Sequence, residues 1–382
     1  MKKTIVVLAI VITSLHLINF WHINLERLKR PFDPDYFSGL YSTSQYVLGE
    51  KSKGGIGDDG LYAFAGYYYF FQQGDVSAVN FEHPPLGKYL IGLSIFLFNN
   101  EIIIGIIYFI FLLITVYKLS GLLISDKYLS LLPPILISWD PLFLDHTIRS
   151  QLDLPFSLFF VTAVYFFLLI FKNNTGIYLS QLFWALAFSV RFFPFLIILE
   201  IYMAIIIFFV GRRFLLRFLL SSLLTPVIYL VTHTVFFIYH PSLVEFLRHK
   251  KWMLAWFTGT PVKFGNILRN IFTGRLLDTL DNSVVNNLWT PMQPVILVLA
   301  LLCPCQFHRR NNSISVKFSP YFVLLGFVIL YFLYTVILTG GQAKFIMPVF
   351  PLMAVLAVKN AADLYSIILP WIRARLRHSK TK

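Results

Sequence analysis

Hydrophobic positions along the chain come in long runs separated by short polar clusters, a pattern that predicts a polytopic all-α membrane protein. A helix needs about 20 apolar residues to cross the hydrocarbon core. Runs at 4–21, 102–123, 128–144, 154–171, 177–190, 193–210, 214–239, 292–307, 320–339 and 345–360 therefore predict about ten crossings. Basic clusters mark the cytoplasmic ends of such helices. Lys2 and Lys3, Lys118, Lys172, "GRRFLLR" at 211–217, "HRR" at 308–310 and the tail within 361–382 all fall on one face under this count. Residues 22–100 and 241–290 are then expected outside, as a large first outer loop and a second outer segment. The run from Leu86 to Phe98 is too short to cross and is read as re-entrant or interfacial. If it crossed, "GRRFLLR" and the basic tail would face outward, against the charge rule.

Composition agrees with this reading. Hydrophobic residues make up 57% of the 382 and charged ones 13%, with a mean hydropathy of +0.71, too little polar surface for a soluble domain. The net charge of +14 is scattered between apolar runs, so lipid headgroups and phosphorylated lipids are the expected partners, and nucleic acid is not. The first apolar run has no small-residue cleavage site after it and is expected to stay as a membrane helix. Cys303 and Cys305 stand as Cys-Pro-Cys, without the spacing or companion ligands of a zinc or redox site. No fixed-period repeat or flexible linker divides the chain. In "HPSLVEFLRHKKWMLAWFTG", Leu243, Phe246, Leu247, Leu254 and Phe257 alternate with Arg248, Lys250 and Lys251, the signature of an interfacial amphipathic helix.

Only 18 Asp and Glu residues occur, so those expected outside carry weight. Asp58 and Asp59 precede "GLYAFAGYYYFFQQGD" and are expected at the start of a surface helix, where the helix dipole favours ionised acids and where an Asp can also serve as a cap. Tyr67 to Phe71 suggests an interfacial aromatic belt. His83, Pro84 and Pro85 fix an extended entry into the short apolar run. Asp145, Arg149 and Asp153 recur at i, i+4 and i+8, which would align them on one helical face. Arg191 lies inside "FSVRFFPF", and an apolar setting of that kind makes a charge costly and usually functional. Lys344 in "GGQAKFIMP" is a second cation at a membrane edge, consistent with snorkelling or with a site. No dinucleotide or P-loop signature is present, no metal-ligand set is visible and no cofactor is implied.

An enzyme on an outer face has no nucleotide-sugar pool, so its substrate has to arrive in the lipid. A polyprenyl-phosphate sugar meets that need. One carboxylate then takes the acceptor's proton, and Arg and Lys stabilise the departing phosphate.

"DDGLYAFAGYYYFFQQGD" followed by "HPPLGKYLIGL" resembles the Asp-Glu and His-Pro-Pro-Leu-Gly-Lys stretches of protein O-mannosyltransferases, enzymes of the GT-C fold that use polyprenyl-phosphate sugars. "RSQLDLPFSLFF" and "KFIMPVFPLMAVLA" are similar to later segments of the same group. The resemblance implies a GT-C fold, an inverting transfer of mannose or another hexose to a hydroxyl of a protein, lipid or glycan, and no metal. It puts Asp58 in the place of the base and Asp59 where the family has Glu. It implies donor-phosphate or architectural roles for His83, Lys88, Arg149, Asp153, Arg191 and Lys344. The expected location is the plasma membrane, with the site on the extracytoplasmic side. Related lipid-modifying transferases of the same fold, a lipid or sugar flippase, and an inactive scaffold subunit are the alternatives.

Overall fold

The computed structural model describes residues 2–172, 176–191, 194–259, 261–302 and 319–379; Cys303, Cys305 and "HRR" at 308–310 lie outside them. The chain opens with α1 (Lys2–Ile23), α2 (Leu25–Lys29), α3 (Pro34–Ser42) and α4 (Gln45–Leu48). Then come α5 (Asp58–Phe70), α6 (Leu86–Phe98), α7 (Ile103–Leu123), α8 (Leu132–Ser138), α9 (Pro141–Thr147), α10 (Asp153–Leu169), α11 (Gly176–Val190) and α12 (Phe195–Val210). Next are α13 (Arg212–Ser222), α14 (Leu224–Thr232), α15 (Thr234–Tyr239), α16 (Leu243–Thr258) and α17 (Asn266–Thr273). A small antiparallel hairpin, β1 (Arg275–Leu277) with β2 (Ser283–Val285), leads to α18 (Met292–Leu301), α19 (Pro320–Leu338) and α20 (Phe350–Ser379).

Among the described residues, five helices are long and apolar enough to cross a membrane, in α1, α7, the stretch Phe214–Thr232, α19 and α20. Shorter apolar helices lie at Leu129–Ser138, α10, α11, α12 and α18, in register with the other expected crossings, and α6 is the remaining one. At 13 residues and 1.5 Å per residue, α6 is about 20 Å long, well under the roughly 30 Å core. The core centres on α10, where Leu154, Phe156, Phe160, Val161, Ala163, Val164 and Phe167 are wholly buried between α7 and α11.

Prolines break several of the expected runs. The run at 128–144 divides at Asp140, whose carboxylate accepts from Leu142 N at 2.9 Å and caps α9. Pro141 has no N–H to continue the preceding helix and sits well in a first turn. The run at 214–239 becomes three helices meeting at Leu223 and His233. The last run starts at Phe350, beyond Pro348, and its helix continues to Ser379 through most of the segment expected as a tail.

The pairing of α5 with α6 positions the site. A Cβ on Gly92 would lie 2.5 Å from Phe70 Cβ and 2.6 Å from Gly66 O, so this close crossing requires glycine. On the same pair, Tyr69 is buried and donates to the carbonyls of Val76 and Val79, so it belongs to the core and not to an aromatic belt, while Phe71 stays exposed.

The segment 241–290 forms a roof over the cavity described below. α16 buries Phe246 and Met253 and exposes Leu243, Val244, Leu247 and Trp252 beside its basic residues. Asn266 accepts from Leu277 N at 2.8 Å and donates to Leu277 O at 2.9 Å and Gly340 O at 2.7 Å, fastening the hairpin to the segment after α19. Gly341, at φ +85°, leaves room for this, since a Cβ there would lie 2.7 Å from Asn266 Cβ.

Candidate active site

Asp58 occupies the first position of α5, after Gly57, which makes no side-chain cap bond. The acids are therefore first-turn residues on the positive end of the dipole, free to point elsewhere. The two diverge. Asp58 accepts from Lys344 Nζ at 2.6 Å, whereas Asp59 turns to Arg149 at 3.4 Å and Arg27 at 3.8 Å. Burial pushes the Asp58 carboxyl up, but Lys344, with Arg191 and His146 behind it, outweighs that and holds it below the usual carboxylate range. Asp58 is ionised at neutral pH.

A cavity of about 940 Å³ opens beside this pair. Asp58, Arg191 and Lys344 form one part of its wall, and Tyr46, Tyr62, Glu82 and His83 form another. Phe195 and Ile198 of α12 with Tyr334 and Leu338 of α19 make an apolar side, of which Ile198 and Leu338 remain about half exposed. The roof supplies Trp256 and Phe257 of α16, Lys263, and the hairpin from Leu276 to Thr279. Lys263 is tied to Asp278 O and to the Asp281 carboxylate, which keeps the hairpin over the cavity.

Arg191 stands just past the C-terminal end of α11, 5.7 Å from the Phe345 ring centroid, and forms a buried ion pair with Asp153 at the start of α10. His146 donates from Nδ1 to Leu142 O at 2.8 Å and turns Nε2 to within 3.9 Å of Asp153. The expected i, i+4, i+8 alignment is not observed. α9 ends at Thr147 and α10 starts at Asp153, so only Asp145 and Arg149 pair, at 2.8 Å, while Asp153 turns inward to Arg191.

Lys88 lies outside the cavity wall. It is fully buried, and its three ammonium hydrogens are spent on Asn80 O at 2.6 Å, Asn80 Oδ1 at 3.0 Å and His83 O at 2.7 Å. Burial, followed by the charges of Arg191, Lys88 and Lys344, holds the His83 imidazole well below its usual value, so His83 is neutral. Glu82 joins the wall without having been singled out from the sequence, and Tyr62 joins it from the helix face that the i, i+4 spacing shares with Asp58. Glu82 stands just before His-Pro-Pro. Among the described residues, no group of three or more His, Cys, Asp or Glu could hold a metal ion.

No protein-family model matches the sequence, and no curated protein matches it. Solved structures do. A crystal structure of ArnT from Cupriavidus metallidurans bound to undecaprenyl phosphate aligns over 92% of this chain with a TM-score of 0.59 and 14% identity. ArnT from the same organism in the apo state aligns over 91% with a TM-score of 0.56 and 13% identity. The chain spans 59% of the length of each ArnT chain. At this identity the likeness is one of fold: the chain has the all-α, polytopic GT-C architecture of an integral membrane protein. That likeness does not single out protein O-mannosyltransferases.

Proposed function

We propose that this chain is an inverting glycosyltransferase that moves mannose or another hexose from a polyprenyl monophosphate to a hydroxyl acceptor on the outer face of the plasma membrane. The observation carrying the proposal is the convergence of one ionised carboxylate and two cations on a cavity with an apolar side. The undecaprenyl phosphate held by the structural neighbour supports the donor class.

In this reading the donor phosphate sits at Arg191 and Lys344, with the prenyl chain along the α12–α19 side. Drawing Lys344 toward phosphate frees Asp58, which then takes the proton of the acceptor hydroxyl. The bond from the anomeric carbon to the phosphate oxygen breaks as the bond to the acceptor oxygen forms on the opposite face. Polyprenyl phosphate leaves with its added negative charge on the two cations. Asp59 and Arg149 hold the start of α5 against α9, Asp153 holds Arg191, and Lys88 holds the His83 segment.

The direct test uses membranes from expressing cells and radiolabelled polyprenyl-phosphate-mannose. Label passing to protein, lipid or glycan above a non-expressing control is expected. Absence of transfer from mannose and every other hexosyl donor, with no binding of polyprenyl monophosphate, would sink the reading.

The assignment of Lys88 gives a separate expectation. Lys88→Met leaves three buried acceptors unpaired and lowers stability by about 3 kcal/mol, by analogy with other charged hydrogen bonds. Thermal unfolding in detergent should fall, while polyprenyl phosphate affinity of the folded fraction stays unchanged. A selective loss of affinity would return Lys88 to the phosphate site.

A further inference from the structure

Two atoms in the cavity wall are used by nothing described so far. Glu82 Oε2 and His83 Nδ1 are buried and make no hydrogen bond among the described residues. Glu82 is 5% exposed and His83 9%, and both residues line the cavity. Buried polar atoms are bonded in the great majority of cases; Asn80 Nδ2 is also open here and the Asn80 side chain bears on the Glu82 carboxyl, so what a ligand would meet is the remaining capacity of Glu82 together with His83 Nδ1. Their backbone is rigid, because Lys88 clamps Asn80 and His83 from beneath.

The surroundings indicate the chemistry of that partner. The negative charges of Glu82 and Asp58 both reach the phenols of Tyr46 and Tyr62, so four oxygen-bearing side chains share one region of the wall. His83 meets the rings of Tyr62 at 6.0 Å and Phe257 at 5.8 Å, which supplies flat apolar surface beside the polar atoms. Arg191 and Lys344 are the wall's answer to phosphate. Carboxyl, phenol and aromatic face together suit a ring bearing several hydroxyls on one side and C–H groups on the other.

We infer that Glu82 is a specificity-determining residue that accepts hydrogen bonds from hydroxyls of the transferred sugar, with His83 engaging a further hydroxyl through Nδ1. This rests on the donor reading above. The competing role for Glu82 is that of a countercharge, since its field supports the buried Lys88 ammonium. The two roles separate experimentally. A hydrogen-bonding role needs an oxygen at this position, and a countercharge role needs a negative charge.

The full-length protein in nanodiscs is assayed with a polyprenyl-phosphate hexose and with the series of donors lacking one hydroxyl each, for wild type, Glu82→Gln and Glu82→Ala. Binding of sugar-free polyprenyl monophosphate and unfolding temperature are measured in parallel. Glu82→Ala is expected to lose about 10- to 100-fold in kcat/KM with the hydroxylated donor, mostly through KM. It should lose little with the one deoxy donor whose missing hydroxyl was the partner. Glu82→Gln, which keeps a carbonyl oxygen, should recover part of the loss, and polyprenyl monophosphate should bind all three proteins equally. Equal losses in Gln and Ala across every donor, with a lowered unfolding temperature, would make Glu82 a countercharge and overturn the inference alone. A wild type that neither binds polyprenyl monophosphate nor transfers from it would overturn the donor reading and this inference with it.

Discussion

Asp58→Asn lowers sugar transfer by about 10²- to 10⁴-fold, the usual contribution of a positioned general base, with donor KM unchanged or reduced. The amide keeps the shape of the carboxylate and cannot take a proton. It also removes the anion that competes with phosphate for Lys344, 2.6 Å away, so binding has no reason to weaken. The pH profile checks the pairing. Lys344 depresses the Asp58 carboxyl, so wild-type kcat/KM should hold as pH falls through the ordinary carboxylate range and decline only below it. The stability contribution of the pair follows the same sign: present above the unfolded value, lost as pH falls through the folded one. In Lys344→Met the residual activity should decline at higher pH than in the wild type. An acid limb that does not move would separate Lys344 from Asp58, and Asp58→Asn with normal transfer would remove Asp58 from the mechanism.

Asp153→Ala destabilises the protein by about 3–5 kcal/mol, because it leaves the Arg191 guanidinium buried without its carboxylate. The side chains of Arg191 and Asp153 are 5% and 3% exposed, so solvent cannot replace the lost partner. Exchanging both members for apolar residues, Asp153→Leu with Arg191→Met, should recover most of the stability, since replacing a whole buried pair is often neutral. Transfer should not recover, because the reaction would still lack a phosphate cation. Thermal unfolding in detergent together with transfer rate decides between roles. If the double variant regains transfer as well as stability, Arg191 is a strut and phosphate is held by Lys344 without it.

What the sequence made legible follows from cost. Arg191 was selected as a charge kept inside apolar sequence, Lys344 as a cation at a membrane edge and Asp58 as one of few acids expected outside, and all three line one cavity. Span positions were readable from run length, and the breaks within them fall near Pro141 and Pro226. Periodicity misled where it assumed an unbroken helix: the turn between Thr147 and Asp153 rotates Asp153 away from Arg149 and toward Arg191, a long-range pairing that no local pattern encodes. Lys88 gave no sign in the sequence that its ammonium would be consumed by two backbone oxygens and the Asn80 side chain. Glu82 was readable in principle, as one of 18 acids and the immediate neighbour of His-Pro-Pro, but its significance lies in a buried oxygen on the cavity wall, which depends on the tertiary fold.

The contact between Asp58 and Lys344 joins residues 286 apart in the chain. At synthesis rates of roughly 5–20 residues per second, Asp58 waits about 15 to 60 s before its partner has even been made. Throughout that interval the cavity lacks the Lys344 ammonium and part of its wall. The cavity is in this sense a late product of synthesis: Lys344 completes a wall that Asp58 began.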